Sequence, residues 1–278
     1  MYKTILVHVD GSAGAAQRIE AAAGLAVQFE GHLVGAAVTG LSAYMFPIGS
    51  IEAGMPPIVF PIDQLRAEAG RALDLFDQAA KGAGVHAYER RLIDDEAGLG
   101  VALHARYSDL VVISQMAPDE FSPRLRSDFP EYVVLNSARP VLVLPYANPE
   151  LNIGRKVMIA WNGSPEAVRA VTTAIPLLQR AQEVDLVVFN AGDNAEAHGD
   201  DPGADMALYL ARHGIKVKVV AAQASQDDGA ALLTYASGTG ANLIVMGAYG
   251  RSRFRELLLG GMTRTALLSS PVALWMSH

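Results

Sequence analysis

Two parts of this chain repeat one another in order, and that repetition constrains the fold more than any other feature. ILVHV at Ile5–Val9 reads as a strand buried on both faces. DGS at 10–12 turns out of it, an Ala-rich helix covers Ala13–Phe29, and His32–Val38 returns as a strand. In the second half Lys156–Trp161 is the strand, Asn162-Gly163-Ser164 the turn, Pro165–Gln179 the helix and Val184–Phe189 the next strand. Asp10 matches Asn162 at an offset of 152, Gly84 matches Gly214 at 130, and Pro140 matches Pro271 at 131. The fall in offset places about 22 extra residues in the first copy, in the Leu41–Ile62 loop between its second and third strands. A loop that long and apolar either packs on the other half or a second subunit, or forms a mobile lid.

Each copy alternates five strands with four helices. In the second copy the later helices are expected at Gly203–His213, Asp228–Thr239 and Met262–Leu268. Alternation of this kind gives a parallel sheet with right-handed crossovers and helices on both faces. The fold class is therefore α/β: two tandem, doubly wound, parallel five-stranded sheets of order 3-2-1-4-5, over residues 1–147 and 155–278, with Asn148–Gly154 as linker. The last strand of each copy (PVLVLPY, PVALWMS) is apolar and lies at a sheet edge. Unprotected apolar edges aggregate, so the two are expected to pair with each other inside the chain, and the chain to pair again as a homodimer.

In this strand order, ligands bind outside the carboxyl ends of strands 1 and 4. In the second half that point receives a glycine pattern. The apolar strand Leu243–Met246 runs into Gly247 and Gly250, then nine residues, then Gly260-Gly261, a helix from Met262 and a last strand Val272–Met276. Glycines between a parallel strand and a helix let backbone amides approach an anion, and the helix N-terminus adds its dipole. Arg251, Arg253, Arg255 and Arg264 add positive charge against Glu256. The first half has Ser114-Gln115-Met116-Ala117 opposite Gly247–Gly250 and Phe129-Pro130 opposite Gly260-Gly261. Proline has no amide to give and a bulky side chain blocks close approach, so the first half has lost this cradle.

The G-x2-G-x9-G spacing closely resembles the nucleotide-binding signature of the universal stress protein family. The tandem layout resembles its two-domain members over nearly the whole chain. The resemblance implies a Rossmann-like fold of the adenine nucleotide alpha hydrolase type, binding of ATP or AMP (with or without Mg) in some members, dimerisation in most, and a stress-related role without settled chemistry or a named protein partner. By position it assigns the adenine and ribose end to Ala160, Trp161, Asn162, Phe189 and Met246. The phosphate end falls on Gly247, Gly250, Arg251, Gly260, Gly261, Met262 and Thr263. Gly261 stands where the family has Ser or Thr, and Thr263 matches a position the family often fills with Thr. Asn162 replaces a common Asp but keeps an amide that can hydrogen-bond an adenine or ribose edge. Trp161 reads equally well as a core residue.

Other chemistry finds little support. A net charge of -7 and a pI near 5.5 argue against nucleic acid as the main partner. Without cysteine there is no disulfide framework, thiolate zinc site or Cys nucleophile. The seven histidines never fall at i, i+4 spacing, and no metal site is expected. His8 reads as a satisfied core residue, Asp94-Asp95-Glu96 as a solvated helix start, and Asp201–Asp205 as a helix N-terminus. No Walker A, dinucleotide fingerprint or nucleophile elbow is present. MYKTILVHVD lacks a signal-peptide layout, and four prolines interrupt Leu41–Ile62, so a cytoplasmic chain without a membrane helix is expected. Three functions stay open: a nucleotide sensor, a slow ATPase, and a structural stress protein with a vestigial pocket.

Overall fold

The computed structural model describes residues 1–41, 61–118, 125–147, 151–191, 201–223, 228–250 and 261–278. The first half forms β1 (Thr4–Val9), α1 (Ala15–Phe29), β2 (His32–Val38), α2 (Ile62–Gly82), β3 (Tyr88–Ile93), α3 (Ala97–Ala105), β4 (Leu110–Ser114), α4 (Phe129–Asn136) and β5 (Val141–Leu144). The second half repeats the pattern with β6 (Lys156–Ala160), α5 (Pro165–Leu178), β7 (Glu183–Phe189), α6 (Ala204–Arg212), β8 (Lys218–Ala222), α7 (Asp228–Thr239), β9 (Leu243–Gly247), α8 (Met262–Ser269) and β10 (Ala273–Ser277). Residues 42–60 of the apolar loop, together with Arg251 and Gly260, lie outside the described residues.

The central strands are continuous apolar runs because both faces are covered. Ile5, Leu6, Val7, Val111, Val112, Ile159, Ile244 and Val245 are all fully buried. Helix starts follow local chemistry. Ser164 caps α5 by accepting from the Ala167 amide, with Pro165 at the first helical position. Glu96 caps α3 by accepting from Gly98 and Leu99, so the acidic run at 94–96 is a helix start as expected; Asp95, however, is buried rather than solvated. Asp205 lies in the first turn of α6, where an acid complements the dipole.

Both halves have the expected order, and they do not remain separate sheets. The described strands run β3-β2-β1-β4-β5-β10-β9-β6-β7-β8 in a single ten-stranded sheet. All pairings are parallel except at the seam, where β5 and β10 run antiparallel with Trp275 opposite Leu142. The edge-to-edge pairing within one chain is thus observed, and β3 and β8 are left as the outer edges. Side chains reinforce the seam. Trp275 is fully buried, stacks 5.3 Å from Tyr2 and donates to Thr173 Oγ1 at 3.2 Å. Gln115, just past β4, donates to the carbonyls of Ala266 and Ser270 at 3.2 Å each, tying the first half to α8. No helix among the described residues is long and apolar enough to cross a membrane.

Candidate functional site

In the second half β6 lies between β7 and β9, so the switch point falls at the carboxyl ends of β6 and β9. Ala160 and Met246 are register partners there, and both are buried in the core. Trp161 is half-buried and packs on the core. Asn162 is exposed; its Oδ1 accepts from the Ser164 amide at 3.1 Å, which leaves the side-chain NH2 outward. Phe189 lies at the end of β7, edge-on to Tyr235 at 6.4 Å.

Beyond β9 the backbone is pinned residue by residue. The Ala248 amide donates to Ser277 O at 2.9 Å, and Ala248 O lies 2.9 Å from His278 Nδ1. Tyr249 takes the left-handed conformation, φ 50°, and its amide donates to Thr263 Oγ1 at 3.3 Å. Thr263 is therefore buried and clips the loop to α8, while its hydroxyl hydrogen is still available to donate. Among the described residues, none accepts from the Gly250 amide. The N-terminus of α8, with Gly261 at the cap and no side-chain cap bond, opens beside this loop.

The glycines differ in why they are glycine. A Cβ at Gly247 would lie 2.5 Å from the Ala167 nitrogen, so packing of α5 on β9 forbids one. Among the described residues a Cβ at Gly250 would meet only Glu166 Oε2, at 3.6 Å, and the residue is not in the positive-φ region. Nothing in the described protein requires glycine at 250.

The equivalent point of the first half is built differently. Arg18 is 3% exposed, and each part of its guanidinium is engaged. Nε donates to His8 O at 2.7 Å, Nη1 to Ser114 Oγ at 3.1 Å and Nη2 to Asp10 Oδ1 at 2.6 Å. Ser12 donates to the same Asp10 oxygen from its amide and hydroxyl, at 3.1 and 2.5 Å. Burial alone would raise the Asp10 carboxyl, but the Arg18 charge and the Ser12 hydrogen bonds outweigh it and hold it well below the usual carboxylate range. Burial pushes the His8 imidazolium down to about 4. The ring is thus neutral near pH 7, and its 3.8 Å approach to Asp10 is not an ion pair. His8 is a core residue as expected, yet not a satisfied one, because its Nε2 has no hydrogen-bond partner. Phe129, opposite Gly260 of the second half, packs on the His8 ring at 4.9 Å. Above this floor lies a cavity of about 500 Å³ between β1, α2 and the end of β4.

The universal stress protein family profile matches residues 1–145 and again 154–278. The chain belongs to the universal stress protein family. Among solved structures, a universal stress protein from Archaeoglobus fulgidus superposes with a TM-score of 0.74 at 18% identity, over 99% of this chain and 95% of that one. A universal stress protein from Pseudomonas aeruginosa gives 0.60 at 13% identity, over 99% and 93%. Another universal stress protein, solved in complex with cAMP, gives 0.39 at 21% identity, over 51% of this chain and 97% of that one. No curated protein matches.

Within this universal stress protein fold, the structure brings Trp161, Asn162, Gly247, Gly250, Gly261, Met262 and Thr263 to the switch-point end of the second half's sheet. It sets Ala160 and Met246 mainly in the core. Sequence reading missed two residues. Arg18 was hidden in an Ala-rich helix, although the repeat places it opposite the buried Ala170. Glu166, beside Gly247 and Gly250, carries no motif of its own; the repeat places it opposite Gly14.

Proposed function

We propose that this universal stress protein binds an adenine nucleotide, ATP or AMP, in its second half and acts as a sensor read by a protein partner or by a change of assembly. The observation that carries the reading is Gly250. Among the described residues its amide has no acceptor and its Cβ side meets only Glu166, beside the N-terminus of α8, which has no side-chain cap bond, at the point where the topology gathers strand ends. On this reading Trp161, Asn162 and Phe189 face the base and ribose. Gly247, Gly250, Gly261, Met262 and Thr263 surround the phosphates, and the sequence spacing assigns Arg251 and Gly260, outside the described residues, to the same role. Because the seam consumes β5 and β10, a homodimer would form through other surfaces, and light scattering at micromolar concentration tests for it.

Two measurements test the nucleotide. Gently purified protein, extracted under denaturing conditions, should release an adenine nucleotide. ATP, ADP or AMP at about 100 times its dissociation constant should stabilise the chain by roughly 2.7 kcal/mol, a melting shift of about 5–11 °C for two-state unfolding at this size. No shift with any of the three at millimolar concentration would instead favour a structural role with a vestigial pocket.

A further inference from the structure

Beside the same loop, α5 contributes a group that a phosphate site does not ask for. Glu166 is in the first turn of α5, with its side chain 13% exposed. Its Oε1 accepts from Arg169 Nη2 at 2.9 Å. Its Oε2 is buried and has no hydrogen-bond partner among the described residues. A Cβ built at Gly250 lies 3.6 Å from this oxygen, the one described atom within 4 Å of it. Gly247 is pressed against the same residue, its own built Cβ falling 2.8 Å from Glu166 Cβ. An anion docking on the Gly250 amide therefore comes close to a carboxylate oxygen that has no hydrogen-bond partner among the described residues. Like charges brought together out of water repel, and a buried carboxylate oxygen without a partner is itself costly.

We propose that Glu166 makes the second half select its nucleotide as a divalent-cation complex and discriminate against the metal-free polyphosphate. The proposal rests on the reading that the nucleotide docks at Gly250. A hard divalent cation such as Mg²⁺ takes oxygen ligands, keeps several waters, and is held by one or two carboxylates together with substrate phosphates. One carboxylate is what this loop provides: the described residues contain no group of three or more acidic or histidine side chains arranged to hold a metal alone. Arg169 occupies Oε1 and leaves Oε2 for the cation. The first half has Gly14 at this position, so the selection belongs to the second half.

The test is calorimetric titration of the full chain with ATP, in EDTA and in magnesium, for the wild type and Glu166→Gln. Glutamine keeps an acceptor for Arg169 and the same volume, and circular dichroism checks the fold. Wild type should bind ATP about tenfold or more tightly with magnesium than with EDTA. Glu166→Gln should bind metal-free ATP about tenfold more tightly than wild type does and lose most of the magnesium preference, as expected for removing one nearby charge. Adenosine, which has no phosphate, should bind alike in all four conditions. Equal wild-type affinity in both buffers, or the same magnesium preference in both proteins, overturns the role of Glu166 and leaves nucleotide binding standing. Failure of the wild type to bind ATP in either buffer overturns the nucleotide reading and this proposal with it.

Discussion

The two halves share one topology and fill four equivalent positions in opposite ways. The first half has His8, Asp10, Arg18 and Ser114, a buried charged network closed on itself. The second has Ala160, Asn162, Ala170 and Gly247, small or neutral residues around a loop whose Gly250 amide has no acceptor among the described residues. Even the two serines of the strand-1 turn diverge. Ser12 is captured by the Asp10 carboxylate, and α1 starts only at Ala15, whereas Ser164 caps α5 directly. A duplicated fold can thus spend the same polar end of its sheet on internal satisfaction in one copy and keep it free in the other.

The strongest way to break the comparison is to remove the guanidinium. Arg18→Ala leaves the Asp10 carboxylate and the His8 carbonyl without their buried partner, and should cost about 3–5 kcal/mol in urea unfolding. Ala170→Gly, at the matching position, should cost about 1 kcal/mol from helix propensity alone. Similar losses at both sites would mean that the Arg18 network does not distinguish the halves.

Acid sharpens the difference next. The folded pKa of His8, about 4, lies below its unfolded value of 6.5, so between these values the unfolded chain binds more protons. Stability should therefore fall as pH drops from 6.5 towards 4, by on the order of 3 kcal/mol. Asp10, with its lowered pKa, loses its contribution only at more acid pH. The second half has Ala160 here and no such titration, so His8→Gln should flatten the slope of urea stability across this window. A slope unchanged in the variant would assign the acid sensitivity elsewhere.

The smallest effect separates the two glycines. Gly247→Ala forces a Cβ onto the Ala167 backbone and should destabilise by about 1–3 kcal/mol through overpacking. Gly250→Ala has room and an ordinary backbone angle, and should stay within about 0.5 kcal/mol of wild type. Equal losses in thermal unfolding would show that Gly250 is also there for packing.

Much of this was legible in the sequence because buried parallel strands are uninterrupted apolar runs and because the repeat provides an internal control. His32–Val38 and Asp228–Thr239 were readable to the residue, and the apolar edges PVLVLPY and PVALWMS pointed to the seam. The candidate site was less legible. Arg18 has no local signature, since a single charge in an Ala-rich helix reads as solvent-facing until its partners on β1 and β4 are known. His8 was placed correctly in the core, but that its Nε2 lacks a partner among the described residues follows from packing the sequence does not display. Glu166 suited a helix start so well that its second role, against Gly247 and Gly250, was invisible without the packing of α5 on β9.

The central claim, that the nucleotide belongs to the second half, is tested most directly by the stoichiometry of ATP binding in magnesium for the wild type, Gly250→Val and Asp10→Asn. The account predicts one ATP per chain, severe weakening in Gly250→Val with circular dichroism near wild type, and retention in Asp10→Asn. Two equivalents per chain, or binding that survives Gly250→Val and is lost in Asp10→Asn, would contradict it.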